Sequence, residues 1–542
     1  MHRRDALDTV LRQLAGNRSE LAVTVARTRY DSTRDAYLLG LLAFAQFIDQ
    51  AFEAAAATAD RALEEARDPE ALLLARAAAG FAASGWARTG PDTIEPARAE
   101  LALLDDVDPD SATFIRYLLA EGSLACGRLR LGGEIVAVSP DLPVDFLGGS
   151  HPFLTIMEVM RVRLLAFQGR ITEALAMGEA ARGRALEPFP QLILEATMSL
   201  VRGNAAQKTP VRVIADRIER ALPHPVTYLS SGCYLLVAFG LIATADAARA
   251  ARFILIAGRT PGLEKLSILD RALGLEMLVS AAVAEEDLTS AEAWRTQALP
   301  LLDDPLARPA VERIMSRVDL LAGDAESALE WATLAMDHAR DDDRAIELAE
   351  AEIVRSRARI ALAQRGAASA SLEALASTAA SSGHLAARQS AARELRSIGR
   401  RLRPSPGSGF DGLSQRERDV ALLVVEGFGN LAIAAELHLS EHTVQVHVSR
   451  VLAAFGVASR FALAAQLASL FPRTDDDPTP PPLTPRQHAV VDRIVLGLSN
   501  ERIGHELGVS VKTVEKHVSE VFRRWSVAFR IGVSRMAWSR EG

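Results

Sequence analysis

The sequence predicts an all-α protein: a long array of amphipathic helices followed by two copies of one four-helix unit. Apolar residues make up 49% of the 542 positions but aromatics only 5%, and Ala and Leu dominate. That mixture favours helix over sheet. Over roughly the first 400 residues the apolar positions recur near the 3.6-residue period, with no period-2 segment of strand length. The C-terminal part then repeats itself. Residues 413–460 align without a gap on 483–530, at an offset of 70, with 19 of 48 positions identical. A fixed-period repeat is the mark of one unit used twice.

A chain of this length exceeds one compact core, so several domains are expected. The two cysteines, Cys126 and Cys233, form no framework and no CxxC, which fits a reduced, cytoplasmic setting. Met1-His2-Arg3-Arg4 runs into an amphipathic stretch rather than a secretory signal. The most apolar run, Tyr234–Ala245, is too short to span a bilayer and ends at Asp246. It reads as a buried helix, and no membrane association is expected.

Taken in order, residues 1–402 form the helical array. Breaks fall near Gly90-Pro91, Ser139–Pro143, Gly148–Pro152, Pro188–Pro190, Pro223–Pro225 and Thr260–Gly262. A local pattern recurs between them: a small break residue, then Ala-Leu or similar five and six positions on. Gly169 leads to Ala174-Leu175, Gly323 to Ala328-Leu329, and Arg365-Gly366 to Leu372–Ser377. Small residues let paired helices approach closely. This resembles degenerate tetratricopeptide-like repeats, in which each helical hairpin buries its face only against its neighbours and the array forms an α-solenoid. Irregular helical bundling is the alternative.

Residues 403–412 combine Pro, Gly and Ser and read as a linker. Copy 1 of the repeated unit follows at 413–470, then a Pro-rich acidic linker at 471–482, then copy 2 at 483–540. In copy 1 the helices are expected at about 414–426, 430–438, 441–455 and 458–470. Asn430 and Ser440 stand as N-caps, Gly427 supplies the turn after the first helix, and Ala434, Leu437, Val444 and Val448 have the spacing of a small core. The short break between the second and third helices gives the crossed pair of a helix-turn-helix, whose second helix is presented to a major groove.

Both copies resemble the LuxR-type helix-turn-helix of bacterial transcription regulators. Copy 1 carries Leu413-Ser414-Gln415-Arg416-Glu417, Gly427-Phe428-Gly429-Asn430, Ser440 with Thr443-Val444 and His447, and Gly456-Val457 with Arg460. Copy 2 carries Leu483-Thr484-Pro485-Arg486, Gly497-Leu498-Ser499-Asn500, Ser510 with Thr513-Val514 and His517, then Val527 and Arg530. The resemblance implies a DNA-binding transcription regulator with double-stranded DNA as partner. It places Gln445, Val446 and Ser449 of copy 1, and Glu515, Lys516 and Ser519 of copy 2, toward the groove. Thr443, His447, Thr513 and His517 would lie near the phosphate backbone. Arg450 is the first cation in the third helix of copy 1, whereas Lys512, Lys516, Arg523 and Arg524 add charge in copy 2. The chain carries four lysines in all, Lys208, Lys265, Lys512 and Lys516. Copy 2 is therefore expected to be the main phosphate binder, and copy 1 a weaker reader of bases or a dimerisation element. Copy 2 departs from the family pattern at Gln487, where Glu is usual, and at Trp525-Ser526, where copy 1 has Phe455-Gly456.

The helical part is similar to that of large ATP-dependent LuxR-type regulators, with the reader doubled and the ATPase missing. That resemblance implies a small-molecule or protein effector at residues 1–402; a homodimer is left open. No GxSxG, HExxH or GxxxxGK[ST] occurs, so no enzymatic role and no cofactor is expected. His438, His442 and His447 lie close together, but no cysteine is near and no acid completes a zinc set. The alternative to a DNA reader is an adaptor, in which the solenoid binds a protein partner and the two copies dimerise or sequester a related regulator.

Overall fold

The computed structural model describes residues 2–83, 101–138, 141–182, 187–340, 343–402, 409–425, 428–460, 462–463, 467, 481–495, 498, 500–525 and 533. Among these, every regular element is helical. The chain divides into two compact units, 1–401 and 402–542.

In the N-terminal unit successive helices pack as hairpins, and alternate helices pack on one another. The two members of a hairpin differ in character. Inner helices such as Ala36–Ile48, Pro188–Asn204 and Tyr228–Ala243 are buried over most of their surface. Their outer partners bury one stripe; Lys208–Ala221 buries Val211, Ile214, Ala215 and Ile218, the spacing of a single amphipathic face. Tyr234–Leu241 lies inside the inner helix Tyr228–Ala243. Among the described residues no helix is long and apolar enough to cross a membrane.

Two glycines bring a pair of helix backbones together. A Cβ at Gly203 would sit 2.5 Å from Gly240 Cα, and one at Gly240 would sit 2.4 Å from Ser199 O. Helices Pro188–Asn204 and Tyr228–Ala243 thus meet backbone to backbone. The array also returns on itself. Ala36–Ile48 contacts Tyr228–Ala243, and Pro188–Asn204 contacts Leu385–Ser397. Gln50 Nε2 donates to Ser231 Oγ and to Lys265 O, both at 3.1 Å.

The hairpin turns explain the recurring pattern. Gly169 and Gly323 are left-handed at φ +76° and +93°, and the next residue's N–H returns to a carbonyl five positions earlier: Arg170 to Leu165, Asp324 to Asp319. This is a Schellman closure. Five positions after each left-handed residue, Ala174 and Ala328 are fully buried. The third example needs correction. Gly366 lies inside helix Arg365–Ser382; the left-handed residue is Ala363, φ +60°, and the buried Ala is Ala368. The break expected at Pro188–Pro190 is likewise a helix start, with Glu187 as N-cap. Proline suits the first helical turn, where its missing N–H would have had no partner. Gly90-Pro91 and Ser139-Pro140 lie outside the described residues.

Candidate nucleic-acid interface

Each C-terminal copy begins with a capping box. In copy 1 the first helix is Gln415–Val425. Glu417 Oε2 accepts from Ser414 N at 2.9 Å and Ser414 Oγ at 2.8 Å, while Glu417 N donates to Ser414 Oγ at 3.3 Å. In copy 2 Gln487 does the same for Thr484, at 3.0 and 3.3 Å. Either residue type fits the box, because the contact needs only an acceptor oxygen. Pro485 opens the first helix of copy 2, Pro485–Val495.

The second helices are Asn430–Glu436 and Asn500–Leu507, and the third are Glu441–Ala454 and Val511–Trp525. Asn430 is not an N-cap. Gly429 holds that position, and Asn430, the first helical residue, accepts through Oδ1 from Arg460. Ser440 is a true N-cap, taking the Thr443 N–H at 3.1 Å; Ser510 takes Thr513 N–H at 3.2 Å. The turn between the two helices pivots on a left-handed residue, His438 at φ +52° in copy 1 and Gly508 at φ +63° in copy 2. Gly427 and Gly497 lie outside the described residues, as does most of the fourth helix expected at 458–470. Leu463 and Leu467 from that stretch are fully buried in the core of copy 1.

That core fixes which face of the third helix is free. Ala434, Val444 and Val448 are buried, with Leu437 packed against them; Ile503, Val514, Val518 and Val521 do the same in copy 2. On the opposite face Gln445, Val446, Ser449 and Arg450 are exposed, and Thr443 and His447 are half-buried. Copy 2 repeats this at Glu515, Lys516 and Ser519, exposed, and at Thr513 and His517, half-buried; Lys512 and Arg523 are exposed as well, while Glu520, at the position of Arg450, is half-buried. In each copy the groove-facing positions that the family pattern implies share one solvent face.

The electrostatics of the two faces differ. Arg450 Nη1 lies 3.4 Å from Glu417 Oε1, so the one exposed cation of copy 1's third helix is drawn back onto the first helix. Burial would raise the Glu417 pKa, but hydrogen bonds from Ser414 and Arg450 outweigh it and hold the carboxyl below its ordinary value. His447 Nδ1 stands 3.8 Å from the same carboxylate. In copy 2 Lys512, Lys516 and Arg523 form no ion pair among the described residues, and the nearest acid to His517 is Glu520 at 3.8 Å. The third helix of copy 2 therefore presents cations without a carboxylate partner among the described residues, where that of copy 1 presents none.

Sequence reasoning missed one structural role. Arg416 and Arg486, at equivalent positions, reach across to the C-terminal ends of the second helices. Arg486 Nη2 donates to Leu507 O at 3.0 Å, and Arg416 to Leu437 O. Their presence in both copies was the available signal. The three clustered histidines do not gather: among the described residues no group of three metal-binding side chains exists.

Residues 411–467 and 481–537 each match the family model GerE, described as bacterial regulatory proteins, luxR family. A candidate HTH-type transcriptional regulator of Mycobacterium bovis, Mb0914c, is 44% identical over 70 residues, 13% of this chain and 8% of that protein. Rv0890c of Mycobacterium tuberculosis, similarly described, is 43% identical over 70 residues, with the same coverage. The chain thus matches only a small part of these relatives' length. Among solved structures, a chain of the APC/C hetero-tetramer Cut9–Hcn1 aligns over 71% of this chain and 90% of that one, at 12% identity and a TM-score of 0.21.

Proposed function

We propose that two luxR-family helix-turn-helix domains on one chain make this protein a cytoplasmic transcription regulator that binds double-stranded DNA through both copies, under control of an effector at the helical N-terminal unit. The observation that carries the reading is the common exposed face of the third helices, polar in copy 1 and cationic in copy 2. Copy 2 supplies phosphate affinity through Lys512, Lys516 and Arg523, with Glu515, Lys516 and Ser519 at base edges. The N-termini of the third helices at Thr443 and Thr513 favour phosphate. Gln445, Val446 and Ser449 of copy 1 add sequence preference with little charge.

The linker between the copies sets the spacing. About eleven Pro-rich residues at about 3.1 Å each reach about 34 Å, one turn of B-DNA and the usual separation of half-sites. One chain would then act as a covalent dimer. The test is to shorten the 471–482 linker to about four residues in the full chain and measure affinity for duplexes with one and two half-sites. Two-site binding should fall to the single-site level; unchanged two-site affinity rejects tandem reading.

A second reading applies to copy 1 alone. Leu431 on the second helix is 72% exposed and Val446 on the third 39% exposed, and Arg450, the one Lys or Arg of the third helix, is tethered to Glu417. These favour a protein contact by copy 1, with DNA held by copy 2.

A further inference from the structure

The N-terminal unit contains a cavity of about 100 Å³, walled by the inner helices Pro109–Ala125, Phe153–Phe167, Tyr228–Ala243 and Ile268–Ala284. Most of the wall is aliphatic or aromatic, with Leu124, Val159, Leu235, Leu236, Phe239 and Leu269 among the lining side chains. A mostly apolar cavity with a few placed polar groups is the usual form of a small-molecule site.

The polar groups are unevenly matched. Three acids line the cavity, Glu121, Asp270 and Glu347, against two cations, Arg163 and Arg344. Each cation already has a carboxylate: Arg163 Nη2 donates to Glu121 Oε1 at 2.5 Å, and Arg344 Nε to Glu347 Oε1 at 2.6 Å. Asp270 is left over. Its partner among the described residues is a neutral one, the Ser267 hydroxyl, donating to Oδ2 at 2.7 Å. Tyr228 lines the same cavity, its ring packed on Phe47 and Phe81.

We propose that this cavity binds a compact hydrophobic amine, its ammonium paired with Asp270 and its apolar body packed among the leucines and against Tyr228. The inference rests on the reading that the N-terminal unit senses an effector, and names the site and the ligand class. An anionic ligand could take the unpartnered Arg163 Nε–H, but it would face the carboxylates of both Glu121 and Asp270. A neutral ligand would leave that carboxylate uncompensated in an apolar wall, which is costly. Burial already pushes the Asp270 carboxyl up to about 6, the mark of a site that would gain from a cation.

The test uses the full chain and three molecules of similar shape: 2-phenylethylamine, 2-phenylethanol and phenylacetate. Calorimetric titration at neutral pH should give saturable binding of the amine, at least tenfold tighter than the alcohol or the carboxylate. Asp270→Asn, which keeps the shape and the Ser267 contact, should lose that preference, and Leu236→Trp should block all three; melting temperatures of both variants establish that they fold. No saturable amine binding, equal or better binding of phenylacetate, or an Asp270→Asn variant that binds the amine unchanged would overturn the proposal. DNA affinity is measured in parallel with and without saturating amine. If the amine binds with the predicted preference and DNA affinity does not move, the site stands and control through the N-terminal unit fails.

Discussion

Arg450 on the third helix of copy 1 approaches Glu417 on the first, Nη1 to Oε1 at 3.4 Å, and copy 2 replaces this pair with Gln487 donating to Glu520 at 3.2 Å. The cross-helix tie survives with its charges rearranged. In copy 1 it draws a cation of the exposed face back onto the first helix; in copy 2 the tie is made by a neutral amide, and Lys512, Lys516 and Arg523 form no ion pair among the described residues.

Glu417 is therefore a stability residue. Glu417→Ala removes the acceptor for Ser414 and Arg450 and should cost the C-terminal unit about 1–3 kcal/mol in denaturant unfolding. Glu417→Gln should cost less than about 1 kcal/mol, because Gln487 already does this work in copy 2. The Glu417 carboxyl is held below its ordinary 4.5 in the folded state. Its contribution is therefore present above that pH and lost as pH falls below it, so the Glu417→Ala penalty should shrink under acid.

The left-handed turn residues make opposite predictions. Gly508→Ala places a Cβ at φ +63° in open space, so only backbone strain is added. It should destabilise copy 2 by about 1 kcal/mol. His438→Gly relieves the same strain in copy 1 and should be neutral or stabilising by up to about 0.5 kcal/mol, since glycine also loses more entropy on folding. Thermal unfolding of the two variants checks both signs.

Gly240→Ala drives a methyl into the Ser199 carbonyl. Overpacking against backbone has no flexible neighbour to absorb it, so the melting temperature of the N-terminal unit should fall by the equivalent of about 1–3 kcal/mol or more. A wild-type melt would show that the two helices can separate freely.

Asp270 predicts a pH signature independent of any ligand. Its folded carboxyl titrates near about 6 rather than at the ordinary 3.8, chiefly from burial, with the Ser267 hydroxyl and Arg163 pulling down and Glu121 pushing up; Tyr228 also lines its surroundings. A raised carboxyl pKa favours folding below 3.8 and loses that advantage as pH rises through about 6. Asp270→Asn does not titrate, so its stability relative to wild type should rise between pH 4 and 7 by up to roughly 3 kcal/mol. A flat difference across that range contradicts the assignment.

Much of the repeated helix-turn-helix unit was legible in the sequence because the duplication displayed it. Ser440 and Thr443 carry a short-range capping signal, and Val444 and Val448 carry the helical period; both survive in copy 2 as Ser510, Thr513, Val514 and Val518. Asn430 was misread because an N-cap depends on the backbone angles of the residue itself, and those of Gly429 take the role. In the helical array the turn pattern was only partly visible. Its left-handed position is held by Gly169 and Gly323 but also by Asn17, Gln50, Ala206 and Ala363, so no residue type marks it. The cavity left no linear trace at all: Glu121, Arg163, Asp270 and Arg344 come from four separate helices or their ends, and only the closure of the array brings them together.

In the proposed function, copy 2 anchors the chain to DNA and copy 1 reads beside it. The most direct measurement selects fragments bound by the full chain from genomic DNA, then follows affinity for a selected fragment against salt, for wild type and Lys512→Ala/Lys516→Ala. The wild type should lose affinity steeply, and the double variant should bind more weakly with a log–log slope shallower by about 1.8, two phosphates at about 0.9 each. No enrichment over bulk DNA, or identical slopes for the two proteins, would contradict it.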